Sequence, residues 1–86
     1  MQEIIVYTTP ICSYCQATKR FLSQKGFAYR EVDLGKEPAL RQKLSAENEG
    51  YRTVPMIFIG EEFIGGYTDL TDLDRQGLLE PKVHRA

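Results

Sequence analysis

Ile4-Ile5-Val6-Tyr7 is an unbroken apolar run, the pattern of a strand covered on both faces. Thr8, Thr9 and Pro10 interrupt it. From Ser13 to Lys25 the spacing becomes helical, with Ala17, Phe21 and Leu22 on one face, and Gly26 is suited to end the helix in a left-handed conformation. Phe27 to Leu34 reads as a second strand, with Ala28, Val32 and Leu34 on one side and Phe27 and Tyr29 on the other. Pro38 fits the first turn of a second helix reaching about Asn48, with Gly50 just beyond it. Val54 to Ile59 is another apolar run, and Gly60-Glu61-Glu62 separates it from Phe63-Ile64 as in a hairpin. Gly65 and Gly66 close that hairpin, and Asp69 to about Gln76 reads as a short last helix. Gly77 and Pro81 punctuate a tail that carries the only histidine, His84.

The order β-α-β-α-β-β-α predicts an α/β fold: a four-stranded mixed sheet flanked by helices. The first two strands, joined by a helix, are expected to be parallel with a right-handed crossover, and the last two antiparallel. With 86 residues and no repeat or linker-like stretch, residues 1–86 read as a single domain.

Composition narrows the function. A formal net charge of −1 gives no concentrated basic face for phosphate, so nucleic acid is not an expected partner. No apolar run approaches the roughly 20 residues of a membrane span, so no membrane partner is expected either. Strand-like sequence begins almost at Met1, which leaves no stretch for a targeting segment within these residues. The cytoplasm is the expected address. The chain has two cysteines, Cys12 and Cys15, and in a reducing compartment such a lone pair reads as redox-active or metal-binding. A self-contained zinc site wants four ligands, and the one other candidate, His84, falls in a tail expected to be mobile, so no such site is expected.

Cys12 falls where the first strand hands over to the first helix. Unpaired N–H groups and the helix dipole there favour a thiolate, so Cys12 is expected to have a lowered pKa and to act as nucleophile. Cys15, one turn on, is positioned to resolve a mixed disulfide on Cys12 and to be the less reactive thiol. Ser13 offers a backbone N–H and a hydroxyl near the sulfur. Tyr14 reads either as an apolar contact beside the sulfur or as an aromatic packed on the helix. Thr53-Val54-Pro55 opens a strand with a proline, either trans at a strand start or cis, and a cis bond would turn Val54 N–H and C=O toward the cysteines for an extended peptide.

Four segments, in order, resemble the glutaredoxin family of the thioredoxin-fold superfamily, over nearly the whole chain. They are Ile5-Val6-Tyr7-Thr8, Cys12-Ser13-Tyr14-Cys15, Thr53-Val54-Pro55-Met56-Ile57-Phe58-Ile59 and Ile64-Gly65-Gly66-Tyr67-Thr68-Asp69-Leu70. The resemblance implies a thioredoxin-like fold, a cis Pro55, and a glutathione groove from Cys12 past Val54 to the last helix. By that likeness Val54 pairs with the cysteinyl part of glutathione, and Gly66 to Asp69 hold its γ-glutamyl end, with Thr68 and Asp69 also suited to cap the helix. Tyr14, Arg52, Thr53 and Pro55 complete the expected glutathione-binding set.

The chain departs from the family pattern at several positions. Thr8-Thr9-Pro10-Ile11 lacks the lysine that many relatives carry before the first cysteine, and Arg52 or Lys19 is the expected substitute. Tyr51 stands where relatives often have glutamine. Ser13 replaces the commoner proline, and similar members with serine there include some that bind a [2Fe–2S] cluster between two protomers, through the first cysteine of each and two glutathione thiolates.

The leading expectation is an enzyme: a glutathione-dependent thiol–disulfide oxidoreductase acting on glutathionylated or disulfide-bonded proteins, with glutathione as co-substrate and the monomer as active unit. One alternative is a [2Fe–2S] carrier in which Cys12 is a ligand within a glutathione-bridged dimer. Another is a hydrogen donor reduced by a thioredoxin-reductase-type enzyme, against which the Gly65-to-Asp69 segment argues.

Overall fold

The structure, a computed structural model, describes residues 1–85. In chain order it contains β1 (Ile4–Thr8), α1 (Ser13–Gln24), β2 (Arg30–Asp33), a 3-10 turn (Leu34–Lys36), α2 (Pro38–Glu47), β3 (Met56–Ile59), β4 (Glu62–Gly65), α3 (Tyr67–Arg75) and α4 (Leu79–Val83). The strands form one sheet in the order β2-β1-β3-β4; β1 runs parallel to β2 and antiparallel to β3, and β3 is antiparallel to β4. The predicted four-stranded mixed sheet is therefore present. Among the described residues no helix is long and apolar enough to cross a membrane.

Register explains the core. Ile4 pairs with Ile59 and Val6 with Ile57, and directly paired residues of antiparallel strands share a face. These four side chains make a patch that Leu22 of α1, Leu70 of α3, and Leu79 and Val83 of α4 cover. On the opposite face lie Tyr7, Met56 and Phe58, under Leu40 and Leu44 of α2. Tyr7 meets Phe58 edge-on at 5.6 Å, and Phe63 links Phe58 to Tyr51. Inner strands covered on both faces account for the unbroken apolar runs in the sequence.

Three elements differ from the expectation. The second strand begins at Arg30 rather than Phe27, because α1 ends in a wrapped cap. Gly26, at φ 77°, lets its own N–H reach Ser23 O and the Phe27 N–H reach Leu22 O. That cap consumes the backbone of the residues expected to start the ladder, and Phe27 packs into the core instead. The third strand starts at Met56, so Val54 and Pro55 lie outside the ladder. The helix expected to start at Asp69, α3, starts two residues earlier at Tyr67.

The tail is the larger correction. Leu79 to Val83 form α4, with Leu79 and Val83 both 0% exposed. Pro81 does not break it, since N–H groups of a first helical turn have no intrahelical partner to lose. The Gln2 N–H donates to Val83 O at 2.6 Å, Lys82 pairs with Glu62 at 2.8 Å, and the His84 ring sits edge-on against Phe27. The tail is part of the core.

Candidate active site

Cys12 is the N-cap of α1, in extended backbone at φ −155° and ψ 107°. The three residues Thr9 to Ile11 carry the chain from β1 into this cap. The Cys15 N–H donates to Cys12 Sγ at 3.1 Å, so the helix start supplies the donor to sulfur that was expected from Ser13. Cys12 Sγ also lies 3.7 Å from Val54 O, across the gap between α1 and the segment before β3. Both cysteines are free thiols; Cys12 is half-buried and Cys15 is 1% exposed.

Burial is the main reason that the Cys15 thiol is pushed up to about 12 from the ordinary 9.0; its hydrogen bond with Cys12 adds to the shift, and the Thr9 backbone and Lys19 oppose it. The pair is thus asymmetric. One sulfur is accessible beside a helix start, and the other is a protonated reserve behind it.

A cavity of about 330 Å³ opens at Val54, whose carbonyl oxygen lies 3.7 Å from Cys12 Sγ; Cys12 itself is not part of its wall. Its wall brings together Tyr14 from α1, Thr53, Val54 and Pro55 from the approach to β3, and Gly66, Thr68 and Asp69 from the start of α3. The Val54–Pro55 bond is cis. Tyr14, 62% exposed, stacks on Tyr67 with ring centres 5.9 Å apart. The ring is thus a cavity wall, and its packing partner is α3 rather than its own helix. Gly66 N–H donates to Asp69 Oδ2 at 2.9 Å, so Asp69 does cap the helix start.

Tyr51 and Tyr67 also line this cavity; the sequence reading named neither singly as a glutathione contact, although Tyr67 lies within the expected Gly66-to-Asp69 segment. A Cβ on Gly66 would sit 2.8 Å from the Tyr51 hydroxyl. Glycine at that position therefore gives the hydroxyl its room. Tyr67 had a legible signal, since it directly follows Gly66 in a quoted segment. Tyr51 was noted in the sequence as the position where relatives often have glutamine, without being assigned to the glutathione groove.

Arg52 lies outside the cavity. It borders a separate groove with Arg41, whose Nη2 donates to Arg52 O at 3.1 Å. Lys19, the other expected substitute for a missing lysine, is committed to Glu31 at 3.1 Å. The Thr8 hydroxyl donates to the same carboxylate at 2.8 Å, and this bond, then Lys19, holds the Glu31 carboxyl below its usual range. Both lysine substitutes are thus placed away from the cavity wall. Among the described residues no group of three or more His, Cys, Asp or Glu side chains is placed to hold a metal ion. A [2Fe–2S] cluster needs four ligands, and with Cys15 buried a single chain offers only the Cys12 sulfur.

Residues 4–64 match the glutaredoxin family model. A glutaredoxin of Pseudomonas aeruginosa is 41% identical over 80 residues, covering 93% of this chain and 94% of the relative. Glutaredoxin 3 of Escherichia coli K12 is 38% identical over 81 residues, covering 94% and 96%. Among solved structures, that of a buckwheat glutaredoxin–glutathione complex superposes with a TM-score of 0.86 at 32% identity, covering 93% of this chain and 74% of that one.

Proposed function

The chain belongs to the glutaredoxin family and is a glutathione-dependent thiol–disulfide oxidoreductase of thioredoxin-like fold, and from that premise we propose that Cys12 is its nucleophile and Cys15 its resolving thiol. The observation that carries this division is the contrast between the two sulfurs. Cys12 is at the helix start beside a cavity, whereas Cys15 is 1% exposed and pushed up to about 12.

The Cys12 thiolate attacks the glutathione sulfur of a protein–glutathione mixed disulfide. A new S–S bond joins Cys12 to glutathione, and the protein cysteine leaves as a thiolate that takes a proton from water. A second glutathione thiolate then attacks the bound glutathione sulfur. Glutathione disulfide leaves and the Cys12 thiolate returns; the protein sulfur has been reduced, the sulfur of the one incoming glutathione has been oxidised, and the glutathione from the mixed disulfide has stayed at the disulfide level. With a protein disulfide, Cys12 first bonds to one protein sulfur. Cys15, deprotonated, displaces that sulfur to give a Cys12–Cys15 disulfide, which two glutathiones reduce.

Bound glutathione would occupy the cavity as a short extended peptide. The Val54 backbone, next to Cys12 Sγ, is suited to pair with its cysteinyl residue. The start of α3 presents N–H groups of Tyr67 and Thr68 that have no intrahelical partner, a fit for the γ-glutamyl carboxylate. Tyr14 and Tyr67 would cover the peptide from the side, and Thr53, Pro55 and Asp69 would complete its walls. One chain holds both thiols and the whole cavity, which supports the monomer as the active unit.

The test is reduction of a small glutathione-mixed disulfide, with glutathione and glutathione reductase supplied. Turnover is expected in wild type and Cys15→Ser and to vanish in Cys12→Ser, while Cys15→Ser loses most of its protein-disulfide reduction. Activity retained by Cys12→Ser would overturn the assignment of roles.

A further inference from the structure

Four large hydrophobic side chains stand exposed among the described residues: Met1, Ile11, Tyr14 and Leu78. Two of them flank the nucleophile, and Ile11, the residue directly before Cys12, is 97% exposed. A large aliphatic group held fully in water contributes nothing to the core. Ile11 is also absent from the cavity wall that Tyr14, Val54 and Gly66 provide. It therefore stands beside the reacting sulfur and outside the space assigned to glutathione.

The loop presenting Ile11 is short and braced. Thr9 to Ile11 connect β1 to α1, and Pro10 lies against Gly35 of the 3-10 turn, where an added Cβ would come 3.1 Å from Pro10 Cδ. The Asp33 side chain accepts from the Gly35 N–H at 2.8 Å and fixes that turn. Proline limits φ within the loop itself. Ile11 is thus held out at a fixed place, a condition that lowers the entropy cost of using it as a contact.

The segment that carries Ile11 and the nucleophile has no carboxylate, ammonium or guanidinium group, and the Asp33 carboxylate beside Pro10 is engaged by the Gly35 N–H. From Tyr7 through Thr18 there is no Asp, Glu, Lys or Arg. Lys19, the next charge along the chain, is paired with Glu31. A substrate cysteine flanked by carboxylates or ammonium groups would bring them over Ile11 without a partner and partly desolvated. One flanked by apolar residues would instead cover Ile11 and the outer edge of Tyr14.

We propose that Ile11, together with the exposed edge of Tyr14, docks the polypeptide half of a glutathione-mixed disulfide and selects substrate cysteines with apolar flanking residues over charged ones. This rests on the assignment of Cys12 as nucleophile and of the cavity to glutathione. When Cys12 attacks the glutathione sulfur, the substrate cysteine is the leaving group, and its neighbouring residues must cross the rim around Cys12. Ile11 does not touch the reacting atoms. It is a specificity-determining contact.

The test compares kcat/KM for three substrates: a glutathione-mixed disulfide of a small thiol with no peptide attached, a glutathionylated peptide with leucine and valine flanks, and the same peptide with aspartate and glutamate flanks. Wild type is expected to favour the apolar peptide over the acidic one by about tenfold, the scale set by burying part of one aliphatic side chain. Ile11→Ser should cut kcat/KM on the apolar peptide about fivefold, mostly through KM, while leaving the small substrate within about twofold, on the same scale. Ile11→Lys should invert the preference toward the acidic peptide. Because the side chain is in water, neither variant removes a packing contact, and thermal melting of each checks that the fold is intact. Equal loss on all three substrates, or no flank preference in wild type, would overturn the proposal. Absence of turnover on the small substrate in wild type would instead overturn the assignment beneath it.

Discussion

Alkylation of the reduced protein reads the asymmetry of the two thiols directly. Cys15 is pushed up to about 12 against an ordinary 9.0, first by burial and then by its hydrogen bond with Cys12. At about pH 8, below both values, its thiolate population is lower than that of an ordinary cysteine by about a thousandfold. Restricted access at 1% exposure slows reagent further. Iodoacetamide at about pH 8, followed by peptide mass spectrometry, should therefore find the label on Cys12, with Cys15 at least about a hundredfold slower. Replacing Cys12 by serine removes its charge and thiol, so Cys15 should react faster than in wild type. Burial remains, and the rate should stay well below that of the denatured chain. The same shift has a stability signature. The folded state holds the Cys15 proton more tightly than the unfolded chain, so this contribution is complete below about 9 and is lost as pH rises toward about 12. Cys15→Ala should abolish that alkaline loss. Comparable labelling of the two cysteines in the native protein would refute the reasoning.

The remaining predictions probe the tail, the cavity and the β1–β2 edge. Leu79→Ala should lower unfolding free energy in urea by about 2–5 kcal/mol, as for a buried leucine, whereas an independent, solvated tail would give no change. Gly66→Ala places a Cβ 2.8 Å from the Tyr51 hydroxyl at a φ of −101° that alanine accepts. It should raise the KM for the glutathione-mixed disulfide several-fold and leave the melting temperature nearly unchanged. Thr8→Val removes the bond that most lowers the Glu31 carboxyl. Wild type keeps this contribution above about 4.5 and loses it as pH falls through the lower folded value. The variant should show less acid-dependent loss, by no more than about 1 kcal/mol, since Glu31 is 39% exposed and screened by water.

The sequence by itself determined the elements whose signal is local. Ile4 to Tyr7 and Met56 to Ile59 are apolar without interruption because both faces of the inner strands are covered, and no later contact alters that requirement. Cys12 at a helix start follows from Pro10 and the helical spacing after it, since a strand-to-helix junction has few ways to end. Tertiary structure alone decided what depends on a surface the local sequence does not contain. Leu79 and Val83, four apart in a stretch punctuated by glycine and proline, become a helix because the sheet face formed by Ile4 and Ile59 needs a cover. Tyr51 enters the cavity wall because Phe63 supports its ring and Gly66 leaves room for its hydroxyl. Arg52, adjacent in sequence, borders a separate groove with Arg41 and is not part of the cavity wall. The reserve character of Cys15 likewise needs the assembled core, because desolvation comes from groups packed around a thiol and is not encoded in Cys-Ser-Tyr-Cys.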